Sequence, residues 1–195
     1  MRLGAFVLLV LLILGGSVAA QGTPPGRTAL VIIDIQDFYF PGGAMPLVDA
    51  DLAARRAGRV LQEFRKSGDL VVHVGHEAAQ GAGFHAEVAP EPGERIFMKD
   101  EVNAFLNTGL GKFLEEERVT DLVLVGMQTH MCLEGAVRAA SDLGFDCVVV
   151  QDACATRDLK YGNRTVAAPD VHLSTLTTLR SYAKVMDLDA WLAHH

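Results

Sequence analysis

Short apolar runs of strand length alternate along this chain with longer stretches whose apolar residues recur every three or four positions. The run ALVII at 29–33 is continuous rather than alternating, which predicts a strand covered on both faces, and it ends in Asp34. Similar runs predict strands at 70–74, at 95–98 just before Lys99, at 122–125, at 145–150 and at 183–186. Between them, Val48, Leu52, Ala53, Ala57, Val60, Leu61 and Phe64 keep helical spacing up to a capping Gly68. Leu133, Ala136, Val137, Ala140 and Leu143 form one face of a helix expected over 131–143, with Gly144 as its cap. Helical stretches are also expected over 110–119 and over 169–182, where Pro169 suits a first turn, with a last turn or two over 187–193. Residues 76–94 and 151–162 show neither period and read as loops. So does DFYFPGGAMPL at 37–47, where Pro41-Gly42-Gly43 follows three aromatics. Strands alternating with helices imply a doubly wound, mostly parallel α/β sheet.

The first twenty residues stand outside that pattern. Met1-Arg2, an almost unbroken apolar run at 3–14 and the small residues from Gly15 to Ala20 have the layout of a secretory signal peptide cleaved after Ala20. The run is too short for a comfortable membrane span, and no cysteine follows it to carry a lipid. The expected organisation is therefore a leader (1–20), a linker (21–27) and one domain (28–195), exported to the periplasm or beyond and free of the membrane once cleaved. Seventeen Lys and Arg stand against 24 Asp and Glu, and no basic run occurs. That balance disfavours nucleic acid and anionic membranes and favours a small-molecule partner. Cys132, Cys147 and Cys154 do not make a disulfide framework: an extended run between the last two holds them about 20 Å apart.

Three polar residues gain meaning from their places in this pattern. Asp34 ends the first strand, Lys99 ends the third, and Cys132 follows the fourth at the start of a helix. In a parallel sheet these ends share one edge, where ligands bind. Individually, Asp34 could cap a loop, Lys99 could be a solvated charge and Cys132 could be core filler. Together they suit covalent catalysis. A thiol at a helix N-terminus beside an ammonium is expected to lean towards thiolate, with a carboxylate to move its proton. Backbone N–H groups of the turn at 127–132 are placed for an oxyanion. Phe38 and Phe40 follow the acid closely and are expected to wall a substrate pocket, with His76, Gln128 and His130 as its polar contacts. Arg95 and Arg157 are read as lying away from this edge, which predicts a preference for uncharged or weakly polar substrates over dicarboxylates. No G-x-G-x-x-G follows the first strand and no Walker-type loop occurs. A phosphotransferase reading fails at Gln36, where a second acid is needed.

The stretches ALVIIDIQDFYFPGG, FMKDEVNAF, LVGMQTHMCLEGAVRAASDLGF and VVVQDACATRD, in that order, resemble the isochorismatase-like cysteine hydrolase superfamily over about residues 28–185. The resemblance implies a three-layer fold, a six-stranded parallel sheet with helices on both faces. It also implies an Asp–Lys–Cys triad falling on Asp34, Lys99 and Cys132, a cis peptide at Met127-Gln128, and an oxyanion hole from the N–H groups of Gln128 and Cys132. A homodimer or homotetramer is implied as well. Because isochorismatase itself lacks the cysteine, Cys132 points to cleavage of a carbon–nitrogen bond in a small amide, carbamoyl or ureide compound. The Asp-x-His metal signature of nicotinamidases is not recognisable: Asp49 and Asp51 have no adjacent His, and His73, His76 and His85 lack ligand spacing. No metal and no cofactor are therefore expected. His130 replaces an Asp common in relatives, and Asn103 a Ser. The rival expectation is a non-catalytic extracytoplasmic binding module that keeps the fold.

Overall fold

The computed structural model describes residues 26–194. The expected leader, and the linker as far as residue 25, lie outside the described residues. In chain order the elements are β1 (Arg27–Ile33), α1 (Ala50–Ser67), β2 (Leu70–His76), β3 (Arg95–Lys99), α2 (Leu110–Glu116), β4 (Val119–Met127), α3 (Glu134–Asp142), β5 (Asp146–Ala155), β6 (Leu159–Tyr161), β7 (Arg164–Val166), α4 (Ala168–Leu179), β8 (Lys184–Met186) and α5 (Leu188–Leu192). Six strands form one parallel sheet in the order β3-β2-β1-β4-β5-β8, and β6 and β7 pair as a separate antiparallel hairpin.

Strand periodicity explains the two cores. Along β1, Leu30 and Ile32 point to one face, where α1 and α5 bring Val60, Leu61, Phe64 and Trp191. Ala29, Val31 and Ile33 point to the other, beneath Leu110, Leu114, Leu133, Val137 and Leu179 from α2, α3 and α4. Both faces are covered, so the central strands carry apolar residues at successive positions.

Several boundaries depart from the sequence expectation for local reasons. β5 runs on to Ala155, through residues read as a loop. It leaves the ladder after Val149 and rejoins β4 with Cys154 opposite Gly126 and Ala155 opposite Met127. The polar residues that made it look like a loop sit in that bulge, where Asp152 accepts from the Leu188 N–H at 2.8 Å and pairs with Arg56 at 3.2 Å. The helix expected over 131–143 begins as a π-helical turn, Thr129–Leu133, before α3. Leu143 lies beyond α3 and is 54% exposed, so it is not part of that helix's buried face. Val48 and Leu52 are likewise exposed: the buried stripe of α1 runs through Ala50, Ala53, Ala54, Ala57, Val60, Leu61 and Phe64. The hairpin at 159–166 was not anticipated, because its burial is slight and its alternation short.

One contact controls the middle of the sheet. Gly126 of β4 stands opposite Ile33 of β1 at a φ of 140°, and a Cβ built on it would lie 2.0 Å from the Ile33 carbonyl oxygen. Only glycine allows the two strand ends to approach so closely.

Candidate active site

Asp34 leaves β1 in the left-handed region, with φ 49°, a conformation Asp tolerates better than most residues. Its N–H donates to the Val74 carbonyl at 2.8 Å, so the acid is tied to β2 as well. Lys99 closes β3, and its Nζ lies 2.8 Å from Asp34 Oδ2, with both side chains fully buried. The pair is close but poorly directed, since neither carboxylate oxygen meets a donor at hydrogen-bonding angles. The ammonium also donates to Nδ1 of His76, the last residue of β2, at 3.0 Å. Cys132 comes from the π-helical turn after β4, and it, Asp34 and His76 each place one polar atom within 4.8 Å of the others. The Met127–Gln128 peptide that begins the turn is cis.

The turn is braced from behind. Thr129 Oγ1 donates to the Ala155 carbonyl at 3.1 Å and lies 2.9 Å from His172 Nδ1, which must then be the protonated ring nitrogen. His130 Nδ1 meets Thr156 Oγ1 at 2.6 Å. Across the sheet edge, buried Gln36 donates to the carbonyls of His76 and Ala82 and accepts from the His76 N–H. It thereby fastens the loop after β2 to the chain two residues beyond the acid.

Above these groups lies a cleft of about 640 Å³. Phe38, Tyr39, Met45, His76, Met131 and Cys132 supply its apolar and reactive walls, and Gln128, Asp100, Glu101 and Arg157 its polar ones. Phe38, His76 and Gln128 are thus brought to the cleft as the sequence suggested. Phe40 and His130 are not. Phe40 stacks on His85 with centroids 3.7 Å apart, and His130 is engaged with Thr156. Arg157 corrects the sequence reading in the other direction. Because β5 is longer than it looked, Arg157 emerges at the cleft, with its Nε donating to Gln128 Oε1 at 3.0 Å.

The protonation state also differs from expectation. Burial pushes the Cys132 thiol up to about 12, the neighbouring Asp34 charge adds to this, and Lys99 only partly opposes it. Burial likewise raises Asp34 above the ordinary carboxylate range, against the pull of the Lys99 charge. Both shifts favour a thiol at Cys132 beside a carboxyl of raised proton affinity, rather than a standing thiolate. The other two cysteines are buried and free, as the missing disulfide framework implied.

The family model for the isochorismatase domain matches residues 28–189. The chain belongs to the isochorismatase family. A Bacillus subtilis (strain 168) isochorismatase family protein, YddQ, is 39% identical over 177 residues, covering 85% of this chain and 98% of that protein. A streptothricin hydrolase of Streptomyces noursei is 34% identical over 152 residues, covering 73% of this chain but 52% of its own length. This chain thus spans about half of that relative. Among solved structures, an isochorismatase-family protein from Oleispira antarctica superposes with a TM-score of 0.83 at 39% identity, covering 88% of this chain and 98% of that one. The isochorismatase-family hydrolase fold accounts for the six-stranded parallel sheet between helices.

Proposed function

We propose that this isochorismatase-family hydrolase is a cysteine amidohydrolase that cleaves a carbon–nitrogen bond in a small amide, carbamoyl or ureide substrate. The observation that carries this is the meeting of buried Asp34 and Lys99 with Cys132, which lines the cleft above them. The Cys132 sulfur attacks the carbonyl carbon while Asp34 takes the thiol proton, so the unfavourable thiolate never stands alone. The N–H groups of Gln128 and Cys132 receive the developing oxyanion. As the carbon–nitrogen bond breaks, Asp34 gives its proton to the leaving amine. Water then attacks the thioester, Asp34 accepts the water proton, and that proton returns to sulfur. Lys99 holds Asp34 in place throughout.

The cleft walls narrow the substrate class. Arg157 offers guanidinium N–H groups beyond the one bound to Gln128, while Asp100 and Glu101 line the same cleft. A substrate with a hydrogen-bond acceptor near the scissile carbonyl suits this lining. Screening the purified protein against amides, carbamoyl compounds and ureides for ammonia release is the direct test. Turnover that survives Cys132→Ala would sink the covalent mechanism. No turnover of any member, with the fold intact, would favour a binding module. Export is part of the proposal and rests on the apolar run at 3–14. N-terminal sequencing of secreted material should begin at Gln21, and full-length protein as the main soluble product would refute it.

A further inference from the structure

The residues around Lys99 have a second chemistry that the hydrolytic scheme does not use. Asp34, His76 and Cys132 offer a carboxylate oxygen, an imidazole nitrogen and a sulfur, the three ligand types of protein zinc sites. One such atom from each lies within 4.8 Å of the other two. Bonds of about 2.0–2.3 Å in tetrahedral geometry place ligand atoms roughly 3.3–3.8 Å apart, so the three need to close by at most about 1.5 Å. Both Asp34 oxygens are buried without a hydrogen bond of good geometry, and Oδ2 has the Lys99 ammonium as its near neighbour. The fourth position faces the cleft that Cys132 and His76 line. A cation already stands between two of these ligands: the Lys99 ammonium, 2.8 Å from Asp34 Oδ2 and 3.0 Å from His76 Nδ1.

We propose that Asp34, His76 and Cys132 form a binding site for a thiophilic divalent cation of the zinc class, for which the Lys99 ammonium is the built-in competitor. Neither nicotinamidase-type spacing nor any sequence motif is involved, because the ligands come from three separate strand ends. On binding, the Cys132 S–H bond breaks, the proton passes to solvent, and the sulfur lone pair is given to the metal. Asp34 and His76 donate lone pairs without further bond changes, and nothing is oxidised. Lys99 withdraws from between Oδ2 and Nδ1, which weakens the site in the wild type and leaves it latent. Occupancy ties up the nucleophile, so the cation acts as a reversible inhibitor that substrate opposes. That consequence rests on the hydrolase reading, whereas the binding does not.

The test is a titration of the full chain with Co²⁺ as a spectroscopic stand-in for Zn²⁺, read by the thiolate-to-cobalt charge-transfer absorption and by chelator competition. The wild type should show the band at millimolar Co²⁺. Lys99→Ala should bind at least tenfold more tightly, at one metal per chain. Cys132→Ser should abolish the band in either background, and His76→Ala should weaken binding at least tenfold. Circular dichroism reports whether Lys99→Ala folds. Lys99→Met, which keeps the buried stem, replaces it if not, and the wild type against its Cys132 and His76 variants decides if neither folds. The proposal is overturned by absence of the band in every folded variant that retains Cys132. A band that survives Cys132→Ser, or binding indifferent to His76→Ala, overturns it equally. A thiolate band in protein that turns over no amide leaves the metal site standing and counts against the hydrolase reading alone.

Discussion

Replacing Gly126 by alanine tests whether strand approach, rather than the triad residues alone, makes the site. The new Cβ would lie 2.0 Å from the Ile33 carbonyl oxygen and 2.8 Å from its carbon, both backbone atoms with no rotamer to yield. Restoring an ordinary contact of 3.4 Å needs β1 and β4 to part by about 1.4 Å, just before Asp34 on one strand and Met127 on the other. The φ of 140° adds strain for any residue with a side chain, on the order of 1–3 kcal/mol. A combined loss of about 3–4 kcal/mol corresponds to a Tm lower by roughly 6–15 °C for a domain of this size. A 1 Å error in the placement of reacting groups costs about 100-fold in rate. The expected result is therefore a kcat about two orders of magnitude down on the best substrate, with KM far less affected because the cleft walls stay in place. Gly144→Ala is the control. It also has a positive φ, 90°, but its Cβ would meet nothing within 4 Å and it sits far along the chain from the triad. It should lose about 1 kcal/mol and keep kcat. A Gly126→Ala enzyme within threefold of wild-type kcat, melting within 2 °C of it, would refute the reasoning.

Cys132→Ala should remove turnover and leave the circular dichroism spectrum unchanged, since it deletes one small buried group; residual turnover at a tenth of wild type or more would contradict the covalent scheme. Phe38→Ala should lower kcat/KM about tenfold through the lost apolar wall, whereas Phe40→Ala should cost about 3–5 kcal/mol of stability with little kinetic effect. Unchanged kcat/KM in Phe38→Ala would remove the aromatic wall from the account. Arg157→Met should raise KM most for substrates with an acceptor beside the scissile carbonyl, and equal effects on all substrates would argue for a purely structural role. Stability should fall with acid in two stages. Burial keeps His73 neutral and its pKa below 6.5, so its contribution declines as pH drops below that value. Burial alone would raise Glu94, but Arg65, the Glu91 N–H and His73 hold it at about 2, so its contribution is present above 4.5 and lost as pH falls towards 2. Glu94→Gln should flatten the Tm profile in the second window and, by removing the carboxylate that raises His73, extend the loss in the first.

The buried strands were legible because burial on both sheet faces leaves continuous apolar runs, and the meeting of Asp34, Lys99 and Cys132 because each ends or closely follows one. What escaped was set by partners distant in sequence. Gln151 and Asp152 look like loop residues until Arg56 and the Leu188 N–H are seen to satisfy Asp152 within a bulge. With β5 cut short, Arg157 fell outside the expected cleft, which it in fact lines. Val48 and Leu52 keep helical spacing yet lie off the buried stripe, because small alanines on α1 allow its close approach to the sheet. The acidity of Cys132 was misjudged from dipole and charge alone. Burial dominates it, and burial depends on the whole fold. His76 was expected as a substrate contact, and its bond to Lys99 is invisible to spacing because β2 and β3 are neighbours only in the sheet.

The strand order also bears on what shortened versions of the chain become. Every member of the triad is encoded before Leu133, yet the outer edge of β4 is closed only when Asp146–Ala155 adds β5 alongside it. A polypeptide ending at Gly144 would hold all the reacting side chains and still expose Leu122, Val123, Leu124 and Val125 along an open, apolar strand edge. Such an edge is a template for pairing with other chains. Nonsense or frameshift products in this stretch would therefore behave as seeds for aggregation rather than as minimal enzymes. During synthesis the emergence of β5 covers the edge of β4, and β8 in turn covers the edge of β5.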